Sequence, residues 1–238
     1  MIAKMRNGIN MKYTTVLFDA DDTLLDFKRS EREALKNSLK RFELPCNEGI
    51  ISEYSVINLG FWKRLELSQI TKEELKIQRF VTFCEHFSFD VDPEKIAKVY
   101  MEELSEQSYL KDGAQEICEK LFEKCRMYII TNGIKFIQTK RFSNTSIKKY
   151  FENVFISEEI GFEKPSIEYF ETVANNIPNF DKKNTLVVGD SLTSDIQGGI
   201  NFGLDTCWFN PLGKKAPKNM DITYQISELD EIYDIVTV

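Results

Sequence analysis

The chain has 238 residues, of which 42% are hydrophobic and 29% charged, and its formal net charge is −7. This composition is typical of a soluble globular protein, and the length allows either one large α/β domain or a core domain that carries a smaller insertion. A negative net charge disfavours a polymeric nucleic acid as partner, but it leaves a small phosphorylated metabolite possible, since a bound cation and local donors can outweigh it within one cleft.

The first predicted element is a strand over residues 14–18, after about ten residues that we expect to form a loose extension. Four segments with helical periodicity and no convincing strand follow it, at residues 30–42, 49–67, 72–87 and 93–106. Thr71 and Glu74 have the spacing of a capping box at the third of these helices. About 80 residues of helix after one strand indicate a separate helical cap domain over residues 27–106.

Strands and helices alternate in the rest of the chain. Short apolar runs predict strands at residues 127–130, 154–156, 186–188, 205–209 and 224–226. Most of these runs are continuous rather than alternating, as expected when helices cover both faces of a parallel sheet. The sequence therefore predicts an α/β fold, with a doubly wound parallel sheet built by residues 12–26 and 107–238 and an inserted all-helical cap domain.

The five cysteines are odd in number and form no CxxC pair, so the sequence suggests neither a disulfide framework nor a thiolate zinc site. We expect them to be reduced and mostly structural, and His86, which has no metal partner in sight, to be structural as well. No apolar run approaches the roughly 18 residues of a membrane span, and the first residues lack the long apolar segment of a signal peptide. Cytoplasmic localisation without membrane association is therefore expected.

A pair of aspartates follows the first predicted strand in the segment VLFDADDTLLDF. Asp19 stands at the carboxyl end of that strand, where open α/β sheets bind their ligands. The strand period of two directs Asp19 and Asp21 to the same side, roughly 7 Å apart along the backbone. This spacing suits a nucleophilic carboxylate beside a carboxyl group that donates and accepts protons, with the Thr23 hydroxyl as a nearby donor. An isolated segment of this type is about as often a helix cap or a solvent-facing turn.

Three further segments place polar groups at strand ends or helix starts. YIITNG supplies Thr131 and Asn132, small donors able to hold a phosphoryl oxygen, although this segment alone is also typical of a plain turn. ISEEIGFEKPSIEYF places Lys164 before a proline, where a lone lysine would ordinarily face solvent. VVGDSLTSDIQGG places Asp190 and Asp195 in an acidic loop after a strand. All of these groups are expected at one edge of the sheet.

Electrostatics indicates that this edge requires a cation. A phosphate ester that meets a carboxylate at 4 Å experiences a repulsion on the order of 4 kcal/mol per charge pair near a protein surface. Oxygen ligands from Asp19, from Asp190 and from the backbone carbonyl of Asp21 would suit Mg²⁺, which prefers a partly hydrated site shared with phosphate. Lys164 would add a fixed positive charge.

The segments FDADDT, ITNG, KP and GDSLTSD, in this order and with a helical insertion between the first two, resemble the motifs of the haloacid dehalogenase superfamily. The resemblance implies that Asp19 is a nucleophile that forms a phosphoaspartyl enzyme, that Asp21 is the acid and base, and that Thr131 and Lys164 hold the phosphate. It implies a Mg²⁺ site formed by the motif aspartates, with the last in a supporting role: Asp19, Asp21, Asp190 and Asp195. The true dehalogenases of this superfamily lack the second aspartate of the first motif, because an alkyl halide needs no proton for its leaving group. Asp21 therefore favours phosphate esters.

Longer segments resemble the pyrimidine 5′-nucleotidase branch of this superfamily: ITNGIKFIQTKRF, ISEEIGFEKP, SDIQGGINFGLDTCWFN and, in the cap, INLGFWKRLELSQITKEELKIQRFVTF. The resemblance implies a magnesium-dependent phosphate-monoester hydrolase that acts on pyrimidine nucleoside 5′-monophosphates. Candidate substrate-binding residues come from the motifs and from the cap: Thr23, Asn132, Gly133, Phe27, Asn58, Trp62 and Arg79. An aromatic residue such as Trp62 among helical apolar residues is more often part of the packing.

Two other functions remain open from the sequence. A sugar phosphatase or a phosphosugar mutase can share the same aspartate pair and the same kind of cap, and a mutase would in addition have to keep water from its phosphoenzyme. A nonenzymatic binding module is the weakest alternative, because no catalytic position is missing.

Overall fold

The computed structural model describes residues 11–237, so the expected loose extension at the start of the chain lies outside the described residues. Contacts group the chain into two compact units. Of the described residues, one unit contains 11–26 together with 110–237, and the other contains Phe27–Tyr109. The boundary at which the helical unit ends, after Tyr109, lies three residues beyond residue 106, where the sequence predicted it.

The first unit is built on a parallel six-stranded sheet. Its strands are β1 (Thr15–Asp19), β2 (Arg126–Thr131), β3 (Asn153–Ile156), β4 (Thr185–Gly189), β5 (Asp205–Phe209) and β6 (Tyr224–Ile226). Their order across the sheet is β3-β2-β1-β4-β5-β6. Every residue of β1 and β4 is buried, as the continuous apolar runs predicted for strands covered on both faces. The predicted fold class is confirmed.

Helices flank both faces of this sheet: α5 (Ala114–Leu121), α6 (Lys135–Asn144), α7 (Ser157–Ile160), α8 (Ile167–Asn175), α9 (Gln197–Phe202) and α10 (Ile232–Val236). Val16 and Phe18 of β1 pack in one hydrophobic core with α5 and α10, while Leu17 packs in a second core with α8. This separation follows from the strand, whose successive side chains point to opposite faces. The two cores hold the strand ends in fixed register.

The second unit consists of four helices: α1 (Phe27–Arg41), α2 (Glu48–Glu66), α3 (Lys72–Phe87) and α4 (Pro93–Ser105). The predicted capping box at α3 is present, because Glu74 N donates to Thr71 Oγ1 at 3.2 Å and Thr71 N donates to Glu74 Oε2 at 2.8 Å. Four aromatic rings with centroid separations of 5.1–6.4 Å form its interior, namely Tyr54, Phe80, Phe83 and Tyr100.

All five cysteines are free thiols; Cys46 is exposed and the other four are buried. Within residues 11–237, no helix combines the length and the apolar character needed to cross a membrane.

Candidate active site

Three adjacent strands bring the predicted motifs together at one edge of the sheet. Asp19 is the last residue of β1, Thr131 is the last residue of β2, and Asp190 follows the last residue of β4. Asp19 pairs in register with Ile130, the residue before Thr131. Parallel strands end at the same edge, so residues that are far apart in sequence become neighbours.

A buried lysine links two of the aspartates. Lys164 is 2% exposed, and its Nζ lies 2.7 Å from Asp19 Oδ1 and 2.7 Å from Asp195 Oδ1. The same nitrogen donates to the backbone carbonyl of Ile130 at 3.0 Å. Three acceptors thus use the three hydrogens of the ammonium group, which fixes its place beside Asp19. An isolated motif of this type would suggest a lysine that faces solvent, but in this fold Lys164 is buried.

The side chain of Thr23 connects the first and last motifs. Its hydroxyl donates to Asp19 Oδ2 at 3.1 Å and accepts from the backbone N–H of Asp190 at 3.1 Å. The indole Nε1 of Trp208 donates to the backbone carbonyl of Asp190 at 2.9 Å and fixes the same loop from the β5 side. Asp190 is therefore held through its main chain, and its carboxylate is not needed to anchor the loop.

Burial and charge act on these groups in opposite directions. Burial raises the pKa of the Asp19 carboxyl well above its ordinary value and the Asp195 carboxylate adds to this, while the Lys164 ammonium opposes it. Burial alone would lower the pKa of Lys164, but the carboxylates of Asp19 and Asp195 raise it above the ordinary value for lysine. Burial, followed by the neighbouring carboxylates of Asp195 and Asp22, raises the pKa of Asp190 to about 7. Ionisation of all the carboxyl groups in the cluster would therefore place more negative charge there than Lys164 alone balances.

The acidic groups fit a hard divalent cation. Carboxylate oxygens of Asp19, Asp190 and Asp195 lie within 4.8 Å of one another. Asp195 already uses both of its oxygens, since Oδ1 accepts from Lys164 at 2.7 Å and Oδ2 accepts from Ser191 N at 3.1 Å. Asp19 likewise accepts through both oxygens, from Lys164 and from Thr23, and all of these carboxylates are of the type that Mg²⁺ prefers.

Gly189 allows the close approach that this arrangement requires. A Cβ atom at this position would lie 2.5 Å from the Cβ atom of Asp195. Asp195 lies in the π-helical turn Leu192–Ile196, which begins at the Ser191 cap. Only a glycine at the end of β4 leaves room for the Asp195 side chain to reach Lys164.

Asp21 and Thr131 belong to a second group of side chains on the same edge. Gln138 Nε2 donates to Asp21 Oδ2 at 2.8 Å and to Thr131 Oγ1 at 2.8 Å, and Arg141 Nη1 donates to Asp21 Oδ1. Tyr169 on α8 accepts from the backbone N–H of Thr131 at 3.0 Å. Sequence reasoning did not identify Gln138, Arg141 or Tyr169. Gln138 and Arg141 are three residues apart in the helix that follows TNG, and this spacing is the signal that could have indicated the first two.

Asn132 and Gly133 lie beside this group with defined local partners. The Asn132 amide donates to the backbone carbonyl of Lys164 at 2.8 Å and accepts from the Lys164 N–H at 2.8 Å. Gly133 N donates to Thr131 Oγ1 at 3.1 Å. The Asn132 side chain thus holds the lysine segment in place.

The candidate residues of the helical unit lie in three places. Asn58 and Arg79 are each 1% exposed, and Arg79 Nη1 donates to Asn58 Oδ1 at 2.8 Å while Asn58 Nδ2 donates to Glu31 Oε1 at 2.6 Å. Trp62 is half-buried and packs against the apolar cluster around Phe61. Phe27 is the first residue of α1. Within this unit the structure brings Asn58 and Arg79 together, and it places Trp62 in an apolar cluster.

Residues 13–203 match the family model of the haloacid dehalogenase-like hydrolases. The chain therefore belongs to this family and is a hydrolase, as the motifs predicted.

Three proteins within this family are similar to the chain over nearly its whole length. The chain is 37% identical to pyrimidine 5′-nucleotidase PynA of Streptococcus pneumoniae, over 94% of this chain and 95% of that protein. It is 30% identical to pyrimidine 5′-nucleotidase YjjG of Escherichia coli, over 95% of this chain and 99% of that protein. The crystal structure of the HAD-hydrolase YfnB of Bacillus subtilis, bound to magnesium, superposes with a TM-score of 0.90 at 37% identity, covering 95% of this chain and 100% of that one. The predicted resemblance to pyrimidine 5′-nucleotidases is confirmed.

Proposed function

We propose that this hydrolase is a magnesium-dependent phosphatase that removes phosphate from pyrimidine nucleoside 5′-monophosphates through a phosphoaspartyl enzyme. The observation that carries the chemistry is the buried Asp19 carboxylate, which is paired with Lys164 and followed two residues later by Asp21. The substrate class is supported by the likeness, over nearly the whole chain, to two pyrimidine 5′-nucleotidases.

In the first step, an oxygen of Asp19 attacks the phosphorus atom of the ester. The bond from phosphorus to the ester oxygen breaks, and Asp21 delivers a proton to that oxygen, so that a neutral hydroxyl group leaves. An alkoxide is a poor leaving group, so phosphate esters of sugars or nucleosides need their leaving oxygen protonated. The halide ion that leaves an alkyl halide needs no proton. The presence of Asp21 therefore supports phosphate chemistry.

In the second step, water attacks the phosphorus atom of phospho-Asp19. Asp21, ionised after the first step, accepts a proton from the water, and the bond from phosphorus to the Asp19 oxygen breaks. Inorganic phosphate leaves and both carboxyl groups return to their starting states. One aspartate thus serves as acid and then as base.

The charges around Asp19 support both steps. The Lys164 ammonium, 2.7 Å from Asp19 Oδ1, stabilises the ionised nucleophile and the negative charge of the phosphoryl group. The side chains of Asp19 and Asp190 and the backbone carbonyl of Asp21 would hold Mg²⁺, with Asp195 in a supporting position. When bound, Mg²⁺ supplies the charge that offsets repulsion between the carboxylates and the phosphate.

The remaining candidate residues are assigned to two tasks. Thr131, Thr23, Asn132 and Gly133 are assigned to the part of the site that receives the phosphoryl group. Every phosphate ester shares that group, so the choice of substrate is assigned to the helical unit, with four candidate residues: Phe27, Asn58, Trp62 and Arg79. A planar aromatic ring and a guanidinium group can stack on, or hydrogen-bond to, a pyrimidine base.

A phosphate-release screen with Mg²⁺ present tests the proposed function. We expect uridine and thymidine 5′-monophosphates to have higher kcat/KM than hexose or pentose phosphates. Trp62→Ala, and Arg79→Ala where urea unfolding shows that this buried substitution leaves the protein folded, are expected to reduce this preference more than they reduce hydrolysis of a small generic ester. If hexose phosphates give the highest kcat/KM, the nucleotide assignment is wrong and a general phosphatase remains.

A further inference from the structure

Helix α6 presents two buried polar side chains to the active site. Gln138 and Arg141 are three residues apart, so they lie on one face of the helix, and they are 1% and 0% exposed. Arg141 donates to Asp21 Oδ1, and Gln138 donates to Asp21 Oδ2 at 2.8 Å. Each oxygen of the proposed acid and base therefore has its own donor.

The direction of each hydrogen bond in this group is determined by chemistry. A guanidinium group can only donate, so the amide oxygen of Gln138 must face Arg141 Nη1, from which it lies 3.1 Å. The amide nitrogen of Gln138 must then face the opposite way, towards Asp21 Oδ2 and Thr131 Oγ1. Both of its hydrogens are used, one for each acceptor. Arg141 thus fixes the orientation of Gln138, and the two together fix Asp21.

The same group determines which way the Thr131 hydroxyl points. Thr131 Oγ1 accepts from Gly133 N at 3.1 Å and from Gln138 Nε2 at 2.8 Å, so both of its lone pairs are occupied. Its own hydrogen is then left to be donated, which is the polarity that an anionic phosphoryl oxygen requires. Gly133 makes room for this contact, because a Cβ atom there would lie 2.7 Å from Gln138 Nε2.

We infer that Gln138 and Arg141 are positioning residues that orient the Asp21 carboxylate for proton transfer and set the Thr131 hydroxyl as a donor to the phosphoryl group. Each Asp21 oxygen has two lone pairs, so one remains on each to carry the proton that moves to or from the substrate. The inference rests on the proposed function, because in that function Asp21 protonates the oxygen of the leaving group. Its consequence is that loss of either side chain impairs most those substrates whose leaving group needs a proton.

The test compares two substrates that share the phosphoryl group but differ in the leaving group. Uridine 5′-monophosphate has an alkoxide leaving group that needs protonation, whereas p-nitrophenyl phosphate releases a stable anion that needs little. The parameter kcat/KM reports steps up to the transfer to Asp19 and leaves out hydrolysis of the phosphoenzyme, which both substrates share. For Gln138→Met and Arg141→Met, we expect kcat/KM for uridine 5′-monophosphate to fall at least about tenfold more than for p-nitrophenyl phosphate.

Arg126→Met is the matched control. Arg126 pairs with Glu152 at the start of β2, about 16 Å along the strand from Thr131, and it also donates to the Pro178 carbonyl. Its loss removes an arginine–carboxylate pair from the same unit, so any fall in kcat/KM should be equal for the two substrates. Urea unfolding of all three variants identifies any variant that does not fold. Gln138→Met removes no charge, so the test can still be made with this variant if Arg141→Met does not fold.

Two outcomes separate this inference from the proposed function. If the wild type hydrolyses uridine 5′-monophosphate and the folded variants lose both activities in equal proportion, the role in orienting Asp21 is overturned; if they lose neither, both positioning roles are overturned, and in each case the proposed function stands. If the wild type hydrolyses p-nitrophenyl phosphate but no nucleotide, the nucleotide assignment fails. The comparison is then repeated with the best alkyl phosphate of the screen, and an equal loss for that ester and p-nitrophenyl phosphate overturns the positioning role.

Discussion

Burial and a neighbouring charge act in opposite directions on the ionisation of the Asp19 carboxyl. Burial favours its neutral form, while the Lys164 ammonium favours the ionised form that a nucleophile needs. Lys164 is shared with Asp195, so its charge is divided between two carboxylates at 2.7 Å each. A cation in addition to Lys164 would offset the repulsion that an anionic ester meets at Asp19.

Asp19→Asn is expected to abolish phosphate release. An amide has nearly the shape of the carboxyl group but is a poor nucleophile, and Lys164 keeps its bond to Asp195 in the variant. Phosphate release and the urea unfolding midpoint are the two measurements, and we expect loss of the first with a cooperative transition retained in the second. Wild-type-like turnover would show that Asp19 is not the nucleophile.

Asp21→Asn is expected to slow turnover rather than remove the nucleophile. Loss of a general acid and base typically costs about a hundredfold or more in rate. If Asp21 acts in both steps as proposed, single-turnover measurements should show slower transfer to Asp19 and slower hydrolysis of the phosphoenzyme. A variant in which only one step changes would contradict the double role.

At the scale of elements, the end of β4 and the turn after it form a close contact. The strand ends at Gly189, and the π-helical turn Leu192–Ile196 brings the Asp195 side chain back over that glycine. Asp195 there accepts from Lys164 and from Ser191 N. The position of the lysine thus depends on a glycine in another element.

Gly189→Ala is expected to destabilise the protein by about 1–3 kcal/mol and to lower activity, since the added Cβ must displace Asp195. Gly60→Ala is the matched control. Gly60 lies within α2, and a Cβ atom there would meet nothing within 4 Å. Because alanine is the better helix former, the control should stabilise by about 0.5–1 kcal/mol. Free energies of unfolding in urea measure both, and equal effects of the two substitutions would contradict this account of Gly189.

At the scale of the whole molecule, charge balance at the active site contributes to folding stability. Burial first, and then the carboxylates of Asp195 and Asp22, raises the pKa of Asp190 to about 7, above its ordinary value of 3.8. A carboxyl group with a raised pKa in the folded state binds its proton more tightly there than in the unfolded chain. Its contribution to stability is therefore fully present below about pH 4 and is lost as the pH rises through 7.

Mg²⁺ is accordingly expected to stabilise the protein more at pH 8 than at pH 5.5. At the higher pH the ligand is ionised and costly to bury without a cation, and at the lower pH a proton competes with the metal. The measurement is the increase in the free energy of unfolding on adding Mg²⁺ after chelator treatment. Asp190→Asn should remove most of the increase, and an increase of equal size at both pH values would contradict the proposed ligand.

Thiol reactivity is a second property of the whole molecule that can be predicted. Burial raises the pKa of Cys118 and of Cys207 to about 12, so neither forms much of the reactive thiolate at neutral pH. Cys84 and Cys125 are also buried, whereas Cys46 is exposed. We expect a thiol reagent to modify one cysteine in the native protein and five in denaturant. Rapid modification of more than one native thiol would contradict the buried positions.

The sequence by itself determined the class of fold, the helical insertion and the residues of the motifs. Continuous apolar runs specify buried parallel strands, and the polar residues that follow them must lie at the carboxyl edge of the sheet. Asp19, Asp21 and Thr23 could be assigned to one motif because they are neighbours in the chain, and Thr23 donates to Asp19 in the structure.

Only the tertiary structure decided which distant side chains meet. Lys164 lies 145 residues from Asp19, and Gln138 lies 117 residues from Asp21, so no local periodicity could reveal either contact. The same holds in the helical unit, where Arg79 and Asn58 join a buried hydrogen-bond network that their positions in amphipathic helices did not indicate. Burial and hydrogen-bond direction depend on how separate elements pack, and packing is a property of the folded chain as a whole.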